Sequence, residues 1–115
     1  MTNGDQINPQ VPPSGTGCVE CLAADAWWLH LRRCAQCGHI GCCDSSPSQH
    51  ASQHATIAGH PIVQSFEPDE DWFWDYATST FSDGPTLTAP TEHPLDQPVP
   101  GPEGHVPADW LTHLH

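Results

Sequence analysis

Two CxxC pairs constrain the fold of this chain more than any other feature of its sequence. Cys18 and Cys21 form the first pair, and Cys34 and Cys37 form the second. A CxxC pair makes a tight turn that directs two sulfur atoms at one ion, and a tetrahedral ion needs two further ligands. The sequence therefore predicts two metal sites, each completed by two ligands from elsewhere in the chain.

The missing ligands lie in a short stretch after the second pair. The candidates are one cysteine of an adjacent pair and three histidines: Cys42 or Cys43, His50, His54 and His60. Thiolate and imidazole ligands favour zinc among the common ions, so we predict that the chain binds two zinc ions through eight ligands. The alternative, three disulfides, leaves these histidines without a role.

The spacing of the histidines leaves two pairings open. His50 and His54 are four residues apart, so on a helix they face the same side. They can bind one ion together, or they can lie one turn apart and serve two neighbouring ions. Spacing alone does not choose between an interleaved pairing and a sequential one in which both CxxC pairs share an ion.

The chain has little material for a hydrophobic core. Its 115 residues include 13 prolines, and hydrophobic residues make up 37%, below the roughly 45–50% of typical globular domains. A core this small usually needs metal or disulfide support. All six cysteines and four of the five tryptophans fall within residues 17–81, which we predict to be the folded domain. We expect a disordered N-terminal segment over residues 1–16 and a Pro-rich, acidic tail over residues 82–115. The end of the tail forms either a short helix docked on the domain or a free, extended end.

Local patterns predict an α+β fold with a short antiparallel sheet and one main helix. The predicted strands are AWWLHLRRC, HIGCC, PIVQSF and DWFWDY, and the first two form a hairpin through the second CxxC pair. The predicted helix is SPSQHASQHATIAG, with Ser46 or Ser48 as its N-cap and Gly59 at its end.

The charge of the chain is strongly acidic. Lysine and arginine together number 2 against 14 aspartates and glutamates, for a formal charge of −12. Binding to nucleic-acid phosphates or anionic lipids requires a basic face, so we expect neither nucleic acid nor membrane as a partner. The N-terminus shows no signal-peptide pattern, which favours a cytoplasmic, reducing location where cysteine clusters bind metal. We also expect a monomer.

The order CxxC, CxxC, C, H-x3-H-x5-H-P, followed by aromatic residues, resembles the UBP-type zinc finger. That module occurs in ubiquitin-specific proteases and in one cytoplasmic histone deacetylase, and small bacterial members are similar in having little else attached. The resemblance covers about residues 17–76 and is closest at HASQH and GHPIV. It implies an interleaved pairing in which the first zinc takes Cys18, Cys21, Cys42 and His50, and the second takes Cys34, Cys37, His54 and His60.

The resemblance also bears on what the module binds. Some members hold a third zinc at positions that Phe73 and Tyr76 occupy here, so we predict no third ion. Ubiquitin-binding members grip a free Gly-Gly carboxyl terminus with an arginine, and Asp44 stands at that position. Because a carboxylate repels a carboxylate, we predict that this chain does not bind the ubiquitin C-terminus.

Aromatic residues nevertheless match the pocket of those members. Trp72 and Trp74 occupy the aromatic positions, and Trp28, or its neighbour Trp27, forms a further wall. With Asp44 and the acidic run EPDED beside it, such a groove suits a basic or amine-bearing protein or peptide partner. The alternative is that both tryptophans are core residues and the acidic run is a solvated loop.

The cysteines and their ions bear on two other functions, a sensor and an enzyme. Cys43 is the spare thiol beside a zinc thiolate, so a redox-responsive or zinc-responsive sensor is an alternative to the interaction module. The competing interpretation is a small buried residue. An enzyme is not expected, because both ions are closed by four protein ligands and no catalytic triad is present.

Overall fold

A computed structural model describes residues 7–102 and 104–114, in which five short strands form one antiparallel sheet. The strands are β1 (Leu31–Cys34), β2 (Ile40–Cys42), β3 (Ile62–Ser65), β4 (Phe73–Asp75) and β5 (Thr80–Ser82). Their order across the sheet is β2-β1-β3-β4-β5. Two α-helices, α1 (Val19–Ala23) and α2 (His50–Ala58), and a 3-10 helix over Trp110–His113 complete the described elements. The predicted α+β class with one main helix is confirmed.

The predicted hairpin through the second CxxC pair is present, but its first strand is shorter than expected. β1 and β2 pair around the turn that contains Cys34 and Cys37. The strand begins at Leu31 because the residues before it have other partners. Trp28 exchanges two backbone hydrogen bonds with Gly101, at 2.8 and 3.0 Å, and the Leu29 amide donates to the Ser46 hydroxyl at 2.9 Å.

Helix α2 begins at His50, later than the sequence predicts. Ser46 cannot cap it, because that side chain is fully buried and accepts from the Leu29 amide. Gln49 precedes the helix in a left-handed conformation, and Gly59 ends it at φ 70° as expected. The helix approaches β2 closely at Gly41, where a Cβ atom would lie 2.7 Å from the Ala51 nitrogen.

The two faces of the sheet separate the core from a solvent-facing aromatic surface. Side chains alternate along a strand, and Arg33, Gln64 and Phe73 align across β1, β3 and β4. All three are buried, and Phe73 packs with Ala35, Ile62 and Leu87. The next row, Val63, Trp74 and Phe81, turns to the other face, where the two aromatic rings remain partly or largely exposed.

Residues 7–16 run along the domain and hydrogen-bond to it. The Asn8 amide donates to the Ala35 carbonyl at 2.7 Å, and the Ser14 amide donates to the Gly38 carbonyl at 2.8 Å. These bonds place the segment along the second CxxC turn, where the close carbonyl of Pro12 leaves no room for a side chain at Gly38. The prediction for residues 1–6 lies outside the described residues.

The Pro-rich segment after residue 82 also contacts the domain. It is extended, as predicted, and the described part of it has no helix or strand before Trp110. Leu87 and His93 are nevertheless only 3% exposed, and the His93 amide donates to the Phe66 carbonyl at 2.9 Å. The predicted C-terminal helix is the 3-10 helix, whose Trp110 ring meets Trp27 edge-on at 6.4 Å.

Arg33 explains why both terminal segments lie against the sheet. Its guanidinium is fully buried and donates to the carbonyls of Thr88 at 2.7 Å, Pro90 at 3.0 Å and Val11. Burial lowers the pKa of this guanidinium, and these three carbonyl partners supply the polar contacts that a buried cation requires. One side chain therefore joins the N-terminal segment, β1 and the Pro-rich segment.

Candidate metal centres and an aromatic pocket

The first cysteine–histidine cluster joins three parts of the fold. Cys18 caps the N-terminus of α1, Cys21 lies within that helix, Cys42 ends β2 and His50 begins α2. Their four donor atoms all lie within 4.8 Å of one another. The three cysteines are buried, and each of two sulfurs accepts from a backbone amide: Cys18 from Cys21 at 3.4 Å and Cys42 from His50 at 3.2 Å.

The distances in this cluster fit one zinc ion. Zinc–sulfur bonds of about 2.3 Å and zinc–nitrogen bonds of about 2.0 Å give a tetrahedron with edges of roughly 3.8 Å between sulfurs and roughly 3.5 Å between sulfur and nitrogen. The Cys21 and Cys42 sulfurs are 3.9 Å apart. The Nδ1 atom of His50 lies 3.2, 3.3 and 3.6 Å from the sulfurs of Cys18, Cys21 and Cys42.

The electrostatics of the first cluster also favour a bound cation. Hydrogen bonds from the Cys18 and Cys21 thiols lower the pKa of the Cys42 thiol to about 2. Hydrogen bonds with Cys18 and Cys42 raise the pKa of the Cys21 thiol. Ionisation of one thiol therefore opposes ionisation of its neighbours, and a divalent ion would allow all three to become thiolates together.

The second cluster lies one turn further along the same side of α2 and is more exposed. Cys34 ends β1, Cys37 lies in the hairpin turn, His54 is in the middle of α2 and His60 follows Gly59. The four donors again lie within 4.8 Å of one another. The Cys34 sulfur is 3.6 Å from Nδ1 of His60, and the Cys37 sulfur is 3.3 Å from Nε2 of His54. These separations also fit the edges of a zinc tetrahedron.

The structure groups the ligand candidates in the interleaved way. His50 and His54 share one side of α2 but belong to different clusters. The two CxxC pairs also belong to different clusters, so the described residues do not show the sequential arrangement. These groups have the membership that the family resemblance implies.

His39 links the two clusters, which sequence reasoning missed. Its ring stacks on that of His54, with centroids 4.1 Å apart and an angle of 3° between the planes. Its Nε2 atom lies 2.8 Å from a carboxylate oxygen of Glu20, within the CxxC turn of the first cluster. The stack restricts the orientation of the His54 ring, as outer contacts of metal-ligating histidines commonly do.

A pocket of about 230 Å³ opens on the exposed face of the sheet. Four aromatic residues from β4, β5 and their flanks share it with residues from β1 and the segment after β2. The lining consists of His30, Arg32, Cys43, Asp44, Ser45, Trp72, Trp74, Tyr76 and Phe81.

The aromatic rings of the pocket stand at steep angles to one another. Trp72 and Phe81 have centroids 5.3 Å apart at 89°, and Trp74 and Phe81 are 4.7 Å apart at 67°. Trp74 and Tyr76 are 6.5 Å apart at 82°. Such edge-to-face pairs are favourable by themselves, and they leave the rings arranged around a space instead of in a flat stack.

Charges of both signs border this aromatic surface. The guanidinium carbon of Arg32 lies 4.7 Å from the centre of the Trp72 ring, within the range of a cation–π contact. Asp44 is exposed at the edge. Burial, with a smaller contribution from the Asp44 charge, raises the pKa of Tyr76 above its ordinary value, so this phenol stays neutral.

The predicted groove residues are only partly brought together. Trp72, Trp74 and Asp44 line one pocket, but Trp28 does not. It is 2% exposed and packs in the core beside Cys18, Cys21 and Phe66. Trp28 is absent from the pocket because the extended segment around Gly101 pairs with it and covers it.

Six residues of the pocket lining were not predicted as a partner surface, and Phe81, Tyr76 and Arg32 are the largest of them. Phe81 lies on β5, a three-residue strand too short to give a pattern. Tyr76 was assigned only to the place of a missing third zinc. Arg32 differs from buried Arg33 solely by the alternation of side chains along β1, which would have placed it beside Trp72 had the strand register been known.

Cys43 is a nearly buried residue of the pocket lining. Its side chain is 4% exposed, and its sulfur lies 3.5 Å from the Ser46 hydroxyl. The thiol of Cys43 therefore presents little surface to solvent, although the residue contributes to the pocket.

Glu67 lies at the centre of a polar cluster between the sheet and the Pro-rich segment. It is 7% exposed, and it accepts from the Leu31 amide at 3.0 Å. His30 Nδ1 lies 3.0 Å from one carboxylate oxygen, and His93 Nε2 lies 3.1 Å from the other. The carboxylate therefore contacts β1 and the Pro-rich segment at once.

The His30–Glu67 contact predicts a pH-dependent contribution to folding. The hydrogen bond to Glu67 raises the pKa of His30, so its stabilisation is complete below the ordinary value of about 6.5. It is lost as the pH rises through the folded-state pKa. Because His30 is half exposed, solvent screens the pair and we expect less than about 1 kcal/mol.

Urea unfolding of zinc-loaded wild type and His30→Gln checks this expectation. The wild type should be the more stable protein at pH 6, and the difference should shrink by pH 8.5. His113→Gln serves as the control, because its exposed ring lies far along the chain beside Asp109. A difference that stays constant or grows with pH would contradict the assignment.

Comparison with known proteins agrees with the metal geometry. The family model described as the Zn-finger in ubiquitin-hydrolases and other protein matches residues 18–87. A protein of Rhodopseudomonas palustris, whose structure was solved by NMR in solution, is 42% identical and has a TM-score of 0.62, over 79% of this chain and 85% of that one. No protein of curated function matches the sequence at a significant level. Among the described residues, no helix has the length and apolar character needed to cross a membrane.

Proposed function

This chain belongs to the family of zinc fingers found in ubiquitin hydrolases and other proteins, and from that premise we propose that it is a protein-interaction module. Two cysteine–histidine clusters are each able to hold a zinc ion. We assign Cys18, Cys21, Cys42 and His50 to one ion, and Cys34, Cys37, His54 and His60 to the other. The partner is a protein or peptide, and the module works as a monomer in the cytoplasm.

The metal centres have a structural role in this proposal. Four protein ligands complete a tetrahedral zinc, and a hydrolytic zinc keeps a position open for water. Each cluster supplies four donors within 4.8 Å, so neither ion is left with an open position. A catalytic function is therefore not proposed.

Contacts on both sides of residues 17–81 support a longer folded unit. Arg33, Leu87 and His93 tie residues 7–16 and 84–102 to the sheet. We propose that residues 7–102 form one domain, with the 3-10 helix docked on Trp27.

The observation that carries the function is the open aromatic pocket. Trp72, Trp74 and Phe81 sit on the face of the sheet opposite the core, and Phe81 is 67% exposed. An exposed cluster of large aromatic side chains beside charged groups is typical of a protein contact surface. Asp44 disfavours a free carboxylate at its end of the pocket, which supports a partner other than the ubiquitin C-terminus.

Capture of partners from an extract tests the pocket. Zinc-loaded wild type and Trp74→Ala are compared as baits, with Ile57→Ala as the control because Ile57 is an apolar residue 84% exposed on α2. We expect Trp74→Ala to recover at least about tenfold less partner than wild type, as for an aromatic anchor. Ile57→Ala should recover as much as wild type. Equal recovery by all three baits would show that the pocket is not the contact surface.

The sensor remains a second candidate, supported by the position of Cys43 next to Cys42. Its burial and its contact with Ser46 favour a packing role instead. We therefore expect Cys43→Ser to release zinc under peroxide at the same rate as wild type, measured with a zinc-sensitive dye. A several-fold slower release from Cys43→Ser would establish the thiol as a redox trigger.

A further inference from the structure

The pocket lined by Trp72, Trp74, Tyr76 and Phe81 has features of a site for one organic cation. Its volume of about 230 Å³ is below the roughly 300–1,000 Å³ of typical small-molecule sites. It therefore suits one side chain better than a cofactor. Four aromatic rings at steep angles provide π-faces in several directions, and a cation is attracted to such faces.

One aromatic face of the pocket already carries a cation. The Arg32 guanidinium lies 4.7 Å from the centre of the Trp72 ring. Arg32 and Arg33 are the two cationic side chains of the sequence at neutral pH, and the buried guanidinium of Arg33 is held by three carbonyls. The other aromatic residues of the pocket, Trp74, Tyr76 and Phe81, have no cation–π contact with a described residue.

The charges around the pocket favour a positive ligand. Asp44 stands exposed at its edge, and the raised pKa of Tyr76 keeps that phenol neutral. The chain as a whole carries a formal charge of −12, and five zinc-bound thiolates add one more negative charge than two divalent ions neutralise. A field of this sign attracts cations and speeds their association.

We propose that the pocket binds the alkylammonium group of a lysine side chain, plain or methylated, of a partner protein. The inference rests on the proposed interaction function and names the chemistry of the partner. The ammonium group lies against Trp74, Tyr76 and Phe81 and pairs with Asp44. Arg32 competes, because it covers Trp72 and repels a second positive charge.

Short peptides with blocked ends test the proposal, because acetyl and amide groups remove both terminal charges. Three peptides differ at one central residue, which is lysine, trimethyl-lysine or uncharged norleucine. Each is titrated into the zinc-loaded protein while tryptophan fluorescence and amide NMR shifts are recorded. We expect both cationic peptides to bind at least roughly tenfold more tightly than the norleucine peptide, and their ratio shows whether methylation matters.

Two variants distinguish a cation site from an anion site. Asp44→Asn should weaken binding of the lysine peptides, and Arg32→Gln should strengthen it. Asp96→Asn is the matched control for net charge, because Asp96 is an exposed carboxylate in the Pro-rich segment outside the pocket. Its binding should equal that of wild type.

Equal affinity for norleucine, weaker binding by Arg32→Gln, or no saturable binding of either lysine peptide would overturn the cation site. A fourth peptide, with a free Gly-Gly carboxyl end, should bind no better than the norleucine peptide. If the lysine peptides do not bind but Trp74→Ala captures less partner from the extract than wild type, the interaction function stands and only the ligand class is wrong. If Trp74→Ala keeps its partner, the interaction function itself fails.

Discussion

Chelation of zinc is expected to unfold the whole domain. The core cluster that contains Trp28, Leu31, Ile40 and Phe66 is completed by three cysteines of the first metal cluster, so the ligands are part of the core. Structural zinc contributes apparent binding energies of roughly 10–16 kcal/mol in small zinc-finger peptides. The zinc contribution is therefore as large as the whole free energy of unfolding of a typical domain, roughly 5–15 kcal/mol.

The measurement is a thermal scan by circular dichroism before and after addition of a strong chelator. We expect a cooperative transition with zinc, no cooperative transition without it, and recovery when zinc is added back. Metal analysis of the folded protein should give two zinc ions per chain. Calcium is the control ion and should not restore the fold, since sulfur and nitrogen donors do not suit it. A cooperative transition that persists in the chelated protein would contradict the structural role of the metal.

Replacing Arg33 should produce the second largest effect. Arg33→Met keeps much of the side-chain volume but removes a guanidinium that serves three carbonyls in two distant segments. Hydrogen bonds to charged groups contribute about 1.5–3 kcal/mol each, and three carbonyls in partly buried bonds lose their partner. We expect a loss of roughly 3–5 kcal/mol, comparable to breaking other buried charged networks.

Urea unfolding of the zinc-loaded proteins measures the loss, with Arg32→Met as the matched control. Arg32 is the adjacent residue with the opposite orientation and only partial burial, so its change should stay below about 1 kcal/mol. Amide exchange adds a local readout: the Thr88 amide, bonded to the Pro9 carbonyl at 2.9 Å, should lose protection in Arg33→Met. Equal stability of the two variants would show that the terminal segments are not held by this side chain.

The metal clusters were accessible from the sequence because their information is local. CxxC turns, a histidine every helical turn and the His-Pro that follows Gly59 are short patterns with a direct geometric meaning. The interleaved grouping was not accessible from spacing, because the choice depends on where α2 lies relative to the hairpin. The family resemblance supplied that grouping.

The errors came from contacts between residues far apart in the chain. Trp28 pairs with Gly101 and Arg33 binds the carbonyls of Thr88 and Pro90, and nothing near either residue signals those partners. The Pro-rich segment looks unable to form a core, yet it needs no helix or strand of its own when the domain supplies hydrogen-bond partners. Ser46 illustrates the same point, since its hydroxyl serves Leu29 instead of the helix that follows.

The placement of His50 and His54 on one helix has a consequence for how the protein fills with metal. Fixing α2 at either cluster positions a ligand of the other, so the first ion to arrive lowers the ordering cost for the second. Loading should then be positively cooperative, with few molecules holding a single ion. Under zinc scarcity the population divides into complete and empty chains, and the amount of working protein, not its affinity for a partner, reports the supply.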